Sequence, residues 1–445
     1  MKVSKKAVLA AASALVALGA TSAMAMEHQF SGSFTAFYDV SNFNGSRAGQ
    51  YYYNPAFYDD GATVTLFDKK APTANFVESR ARLGYTAKLN NDYKFVSIFE
   101  LDYKYWGNSS YTEQRNGGGA LGADTVNIET KNLYLDANVC RNTNLKLGMQ
   151  GFDDAFKGVF VSADMAGALV THSYSNATAS IGAFRWDDKS DTANSALGRQ
   201  TRDFLVVDGK YNLSKETKIG GSYYFMKDNT GNLDENVHML GVNAETVAGP
   251  VNISGFIAGQ FGEVDVDQKD LSAYAASLGA NMKLGKGTLR GDVLYATGEK
   301  SDTGSKSHAF QSVSYESGYY GNEMVILGRD KNAFTTDNAI VYDANNLDHG
   351  VIFLAAGYDM PLSDKLSLSG NLGFAWNETS RDADQNSSKF LGTEVNAELA
   401  YKVNDNVSFG ARAAYVFLGG YFDDVATNGT PDDPYDIKLI AKFSF

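Results

Sequence analysis

Residues 77–105 read VESRARLGYTAKLNNDYKFVSIFELDYKY, two runs of period-2 alternation around a polar turn. In the first run Val77, Ser79, Ala81, Leu83, Tyr85 and Ala87 alternate with Glu78, Arg80, Arg82, Gly84, Thr86 and Lys88. In the second, Phe95, Ser97, Phe99, Leu101, Tyr103 and Tyr105 alternate with a set containing Lys94, Glu100, Asp102 and Lys104. Successive strand side chains point to opposite faces, so each run has an apolar and a charged face. Asn90-Asn91-Asp92 between them is a tight-turn sequence, because these residues tolerate left-handed backbone angles. Such a hairpin needs an apolar medium on one side and water on the other.

The same grammar runs along the chain. Short turns fall at Asn142-Thr143-Asn144, Tyr174-Ser175-Asn176, Leu213-Ser214-Lys215, Ala248-Gly249-Pro250, Gly285-Lys286-Gly287, Pro361 to Asp364 and Asn404-Asp405-Asn406. The alternate connections are longer and more polar, notably 42–76, 108–126, 299–347 and 419–433, and are expected to face outside. Strands are expected near 30–41, 77–88, 93–106, 127–137, 144–150, 165–174, 177–187, 202–212 and 217–227. The second half adds 236–246, 251–261, 271–283, 287–298, 348–360, 365–378, 389–402, 406–418 and 435–445. The fold class is therefore all-β, a transmembrane antiparallel β-barrel of about 18 strands, with 16 the other even count considered. All six prolines fall in turns, loops or strand edges, where no ladder hydrogen bond is lost.

Composition agrees. The 445 residues include 26 Tyr, 27 Phe and 44 Gly, and the mean hydropathy is only -0.28. Lys2, Lys5 and Lys6, the apolar run from Ala7 to Ala20 and Ala23-Met24-Ala25 form a signal peptide over 1–25. The barrel is assigned to 26–445. Losing the three leader lysines takes the net charge from -13 to -16, which argues against nucleic acid as a partner. The lone Cys140 cannot form an intramolecular disulfide. At the C-terminus Tyr435, Ile437, Leu439, Ala441, Phe443 and Phe445 share one face, against Asp436, Lys438, Lys442 and Ser444. This ending resembles the signature that the barrel-assembly machinery reads, with Phe443 and Phe445 as its aromatics.

The stretch from Glu78 to Val170 resembles the homotrimeric outer-membrane porins of sulfate-reducing and related bacteria. The carriers are Ser79-Arg80-Ala81-Arg82-Leu83, Gly118-Gly119-Ala120-Leu121-Gly122-Ala123-Asp124, Leu133-Tyr134-Leu135-Asp136, LKLGMQG at 145–151 and ADMAGALV at 163–170. The resemblance implies a homotrimer of water-filled barrels in the outer membrane, passing small hydrophilic solutes. Its surroundings would be outer-membrane lipid and lipopolysaccharide.

Residues 151–167, GFDDAFKGVFVSADMAG, are too apolar for an idle solvated loop and connect the fifth and sixth strands. They are expected to fold inward and narrow the pore. Asp153, Asp154 and Asp164 would form the acidic side of the constriction and Lys157 a counter-charge, with Phe152, Phe156, Val159 and Phe160 docking the loop. An outward, solvated loop is the alternative. Arg80 and Arg82 would oppose the acids from the wall, and Glu78, Lys94, Glu100, Asp102, Lys104, Arg290 and Arg412 would line it. Alternatively these bases only pair with wall carboxylates such as Glu100 and Asp102. Trp106, Phe184 and Trp186 are candidates for a sugar-binding slide.

The function expected is passive diffusion of small hydrophilic solutes and ions. A channel selective for sugars or small carboxylates, or a barrel-anchored adhesin, are the alternatives. The five histidines are scattered without H-E-x-x-H spacing, so no catalytic residue, metal site or cofactor is assigned.

Overall fold

The computed structural model describes residues 26–44, 73–105, 128–188, 200–230, 233–265, 268–299, 304–313, 317, 322–332, 334, 338–380, 388–425 and 431–445. The expected leader, Trp106 and the side chain of Lys104 lie outside the described residues.

The strands are β1 (Glu27–Ser41), β2 (Ala74–Lys88), β3 (Tyr93–Tyr105), β4 (Glu129–Cys140), β5 (Thr143–Asp153), β6 (Ser162–Ser173), β7 (Ala177–Asp188), β8 (Thr201–Asn212) and β9 (Lys218–Asp228). They continue with β10 (Glu235–Ala248), β11 (Val251–Val264), β12 (Lys269–Leu284), β13 (Gly287–Ala296), β14 (Lys306–Ser307) and β15 (Val351–Pro361). The last are β16 (Leu366–Asn377), β17 (Phe390–Lys402), β18 (Val407–Leu418) and β19 (Tyr435–Ser444), with a short helix α1 (Gly420–Val425) before β19. Leaving aside the two-residue β14, eighteen strands pair antiparallel with their neighbours, and β1 closes the sheet on β19. Each of the eighteen expected strands has its counterpart here.

Local chemistry builds the staves. At the first hairpin the Leu89 N–H donates to the Tyr93 carbonyl at 2.9 Å. Asn90 Oδ1 accepts from the N–H groups of Asp92 and Tyr93 at 2.8 and 3.0 Å, the expected turn chemistry. At the seam, Gly32 and Phe445 exchange two backbone hydrogen bonds of 3.0 Å. A Cβ on Gly32 would stand 2.4 Å from the Phe445 ring, so glycine lets the terminal aromatic lie flat over the seam. Closure leaves the staves no unpaired edge.

The faces are the inverse of a soluble protein. Leu240, Val242, Ile257, Leu278, Phe417 and Leu439 point outward and are exposed, whereas the inward Ser277, Arg412 and Lys438 are buried. No helix among the described residues is long and apolar enough to cross a membrane.

One expectation needs correction. Most of the described parts of 299–347 do not face outside; beyond the exposed residues 304–306 they enter the barrel, where Phe310, Val313, Met324 to Leu327 and Ile340 are all buried. Three devices hold this segment. Glu394 of β17 accepts from the N–H groups of Val325, Ile326 and Leu327 at 2.7–3.0 Å. Asp330 receives a two-pronged bond from Arg412 of β18 and another, at 2.7 Å, from Lys438 of β19. Phe334 stacks against Phe37 of β1 with centroids 5.1 Å apart and lies 4.4 Å under the Arg80 guanidinium. The return arm pairs with the outgoing one, Ile340 and Val341 donating to Ile326 and Leu327 at 2.9 Å. Tyr421 and Phe422 of α1, in the connection 419–433, are buried as well.

Burial by itself would raise the Asp330 carboxyl, but Arg412 and Lys438 together hold it well below the usual carboxylate range. Its contribution is therefore complete at neutral pH, begins to fall as pH drops to the ordinary carboxylate value, and is fully lost only well below it. Asp330→Asn leaves two buried cations short of their partner, a loss of roughly 3–5 kcal/mol. The expected outcome is faster amide exchange over 322–332 with an unchanged far-ultraviolet spectrum; unchanged exchange would show that the anchor is dispensable.

Candidate functional site in the barrel lumen

An empty barrel of this strand number leaves an aqueous channel, so what crosses it is decided by the segments that enter the lumen. The first is narrower than the sequence suggested. β5 runs on to Asp153 and β6 begins at Ser162, leaving only residues 154–161 as loop. It closes on itself through the Asp154 N–H and Val161 carbonyl at 3.0 Å. The loop bends inward, as expected.

Asp154 is the hub of this loop and not a pore-lining charge. Its buried carboxylate accepts from the N–H groups of Phe156, Gly158, Phe160 and Val161 at 2.7–2.9 Å. Burial pushes this carboxyl up to about 6, against the pull of those four donors. Lys157 and Gly158 take left-handed backbone angles, φ 65° and 73°, which turn the chain tightly enough for all four donors to converge.

Aromatic packing fixes the loop to the wall. Phe156 lies 5.9 Å from Tyr224 and 5.5 Å from Phe256, and Phe152 lies 5.4 Å from Phe184. The Tyr224 hydroxyl donates to Asp208 and accepts from the Ala155 N–H at 2.8 Å. Gly241 on β10 makes room: a Cβ there would stand 2.5 Å from the Phe156 ring and 2.8 Å from the Ile257 carbonyl. Lys157 reaches away from this cluster to Asp292 of β13 at 2.6 Å and Ser277 of β12 at 3.0 Å.

The two inward segments are also joined to each other. The Val313 N–H donates to the Phe160 carbonyl at 2.9 Å and the Ser312 hydroxyl to the Val159 carbonyl at 2.7 Å. Gln260 of β11 clasps Gln311 from the other side, with bonds of 2.7 and 2.9 Å. One continuous apolar cluster runs from Phe152, Phe156 and Phe160 through Phe310 and Val313 to Met324 and Ile326.

The remaining expected residues divide by strand parity. Asp153 and Asp164, expected at the constriction, fall on the outward positions of β5 and β6. Asp153 is exposed and accepts from Ser162 at 2.5 Å. Asp164 pairs with Lys131 at 2.6 Å, while its neighbours Ala163 and Met165 enter the lumen cluster. Gly151 is its cross-strand partner. Arg80 and Arg82 do face inward. Arg80 holds Asp102 at 2.6 and 2.7 Å and Glu100 at 3.2 Å, and Arg82 is bonded to Glu100. The contact of Arg80 in the lumen is Phe334, not the 154–161 loop. Lys94 pairs with Asp136 at 3.1 Å, and Glu78 is fully buried on the same face. Phe184 and Trp186 pack into or against the apolar cluster, Trp186 under the Arg202 guanidinium at 4.7 Å.

Beside the second segment the lumen keeps a polar cavity of about 220 Å³, with Arg290, Arg329, Lys331, Asp359, Glu398 and Arg412 in its lining. Arg290 is fixed there by Asp359 at 2.9 and 3.0 Å and by Asn371 at 2.5 Å. Neither residue 330 nor residues 322–329 were singled out from sequence. Their signal was the apolar run Met324-Val325-Ile326-Leu327 inside a connection otherwise rich in polar residues.

No family model and no curated protein matches this sequence. Solved structures from Pseudomonas aeruginosa share its fold. OccK5 (OpdH) has 12% identity and a TM-score of 0.56, covering 94% of this chain and 98% of that one. OccK8 (OprE) gives 12%, 0.57, 94% and 98%. The outer membrane protein OpdK gives 12%, 0.55, 94% and 98%. The likeness spans nearly the whole barrel and is one of architecture.

Asp154→Ala strands four inward N–H groups at roughly 1–3 kcal/mol each, and Gly241→Val expels Phe156. Both variants should release the 154–161 loop, raising single-channel conductance and its noise. Wild-type conductance in both would contradict a docked constriction.

Proposed function

We propose that this chain is an outer-membrane porin: a water-filled channel for small hydrophilic solutes and ions, narrowed from within by residues 154–161, 308–313 and 322–332. The observation that carries the reading is a closed barrel whose outward strand positions are apolar and exposed while ion-paired charges line its interior beside the inserted apolar cluster, an arrangement suited to lipid outside and water inside. The crystallised outer membrane protein OpdK, of the same architecture, supports the location. Export by a cleaved leader over 1–25 and assembly as a homotrimer belong to the same proposal.

A selective channel is the second reading, and one feature favours it over free diffusion. The cavity beside residues 322–332 presents fixed charges of both signs, held in place by ion pairs rather than left to sweep the lumen. Such a lining suits small carboxylates or dipolar solutes, since opposed charges orient a dipole in transit. Arg80 and Arg82, already neutralised by Glu100 and Asp102, then act on ion flow mainly as part of a paired wall.

Liposome swelling separates the readings. Rates that fall smoothly with solute size, with no saturation, support free diffusion. Saturation by a small carboxylate, abolished in Arg290→Ala, supports the selective channel. A protein inserted in bilayers that passes neither ions nor solutes would end both. Arg80→Ala with Arg82→Ala should change ion selectivity modestly, read as a reversal potential shift in a salt gradient, because wall carboxylates lose their counter-ions.

A further inference from the structure

An unbroken line of side chains joins Arg290 of β13 to the backbone of residues 325–327. Its first link crosses a whole strand. Gly357 of β15 is the register partner of both Arg290 and Asn371. A Cβ on Gly357 would stand 2.3 Å from Asn371 Oδ1 and 2.7 Å from Arg290 Cζ. Glycine therefore lets the guanidinium lie flat across β15, where Arg290 Nη2 donates to Asn371 Oδ1 at 2.5 Å. Asn371 Nδ2 then donates to Asn396 Oδ1 of β17 at 2.7 Å. Asn396 Nδ2 donates in turn to Glu394 Oε1 at 2.8 Å and to the Glu323 carbonyl at 3.0 Å. Glu394 ends the line on the N–H groups of Val325, Ile326 and Leu327.

The line has a fixed direction. Arginine only donates and a carboxylate only accepts, so the two amides between them have one orientation that satisfies both ends. Asn371, Asn396 and Glu394 are all buried. A reversed amide would set like groups face to face with no water to take them. The pair on the other side of Arg290 lacks this character. Asn252 and Asn281 share an exposed bond of 2.9 Å, and Asn281, although a register partner of Arg290, makes no bond to it among the described residues.

The other end of the line is open. Asp359, Ser369 and Asn371 occupy Nε and Nη2 of Arg290, and Nη1 has no partner among the described residues. The side chain keeps 21% exposure. It lines both the polar cavity beside 322–332 and a second cavity of about 220 Å³ between the wall of β11–β15 and Asn322.

We infer that Asn371 and Asn396 are positioning residues for selectivity, because they make Arg290 and residues 323–327 one hydrogen-bonded unit. A solute held at Nη1 steadies the inserted segment, and the seated segment holds Nη1 toward the solute. The coupling deepens the selective-channel reading and rests on it. Linkage makes it mutual.

Gly357→Ala cuts the first link while leaving every polar group of the line, and the net charge, in place. The atoms it displaces are the ends of flexible side chains. It is compared with Asn371→Leu and Glu394→Gln, using propionate as the probe. Amide exchange over 325–327 is followed in lipid nanodiscs, and the saturation of conductance by propionate in planar bilayers. In wild type, saturating propionate should slow exchange over 325–327. In Gly357→Ala and Asn371→Leu that exchange should be faster and indifferent to propionate, with the half-saturating concentration raised about fivefold. Glu394→Gln, which has no bond to Arg290, should weaken propionate by a similar factor, and no further in the Asn371→Leu background. Wild-type exchange in both link variants, or a Glu394→Gln effect that simply adds to Asn371→Leu, would overturn the inference and leave the selective channel standing. Conductance that never saturates in wild type would remove the selective channel and the inference with it. Either link variant decides the matter if the other does not fold.

Discussion

A sheet in lipid must satisfy every backbone N–H and C=O within itself, and the rest of this molecule follows from that constraint. Closing β1 on β19 meets it, down to the Gly32–Phe445 bonds at the seam. Closure in turn forces one parity of every strand outward and the other inward. The alternation that makes residues 77–105 legible as a hairpin is therefore the same feature that separates lipid from water. It also creates a difficulty: eighteen strands enclose more space than their side chains can fill.

Two insertions resolve it, and they work by different physics. Residues 154–161 are built around one carboxylate that replaces four missing backbone partners, and are then held by aromatic packing against Tyr224 and Phe256. The second segment is held by charge: Glu394 caps three N–H groups, and Asp330 satisfies Arg412 and Lys438. The bonds from Ser312 and Val313 to Val159 and Phe160 make the two one structure.

Much of this was readable from the chain. Period 2 located most staves because they are amphipathic, although 127–137 and 348–360 alternate poorly, β15 carrying apolar side chains on both faces. The apolar character of 151–167 correctly pointed it inward. What failed was parity at the strand ends. From sequence Asp153 and Asp164 read as loop residues, yet each continues its strand by one to three positions, and a continued strand sends them outward. The pairing of Gly151 with Asp164 could have been extended from the alternation of Leu145, Leu147 and Met149. Residues 299–347 were harder. Their anchors join positions far apart in the chain, 108 residues for Lys438 and Asp330 and more for Phe334 and Phe37, and no local pattern encodes such pairs. Only the apolar runs at 324–327 and 339–342 hinted that a supposed outer loop was built for an interior.

The central claim is that the inward segments, and not the barrel wall, determine the bore. The most direct measurement is polymer exclusion in planar bilayers, in which polyethylene glycols of increasing size are tested for their power to lower single-channel conductance. The account predicts a sharp cutoff at polymers far smaller than the roughly 35 Å backbone diameter of an unobstructed eighteen-strand barrel, moving upward when Asp330→Asn and Asp154→Ala are combined. A wild-type cutoff at the size of the open barrel, unmoved in the double variant, would contradict it.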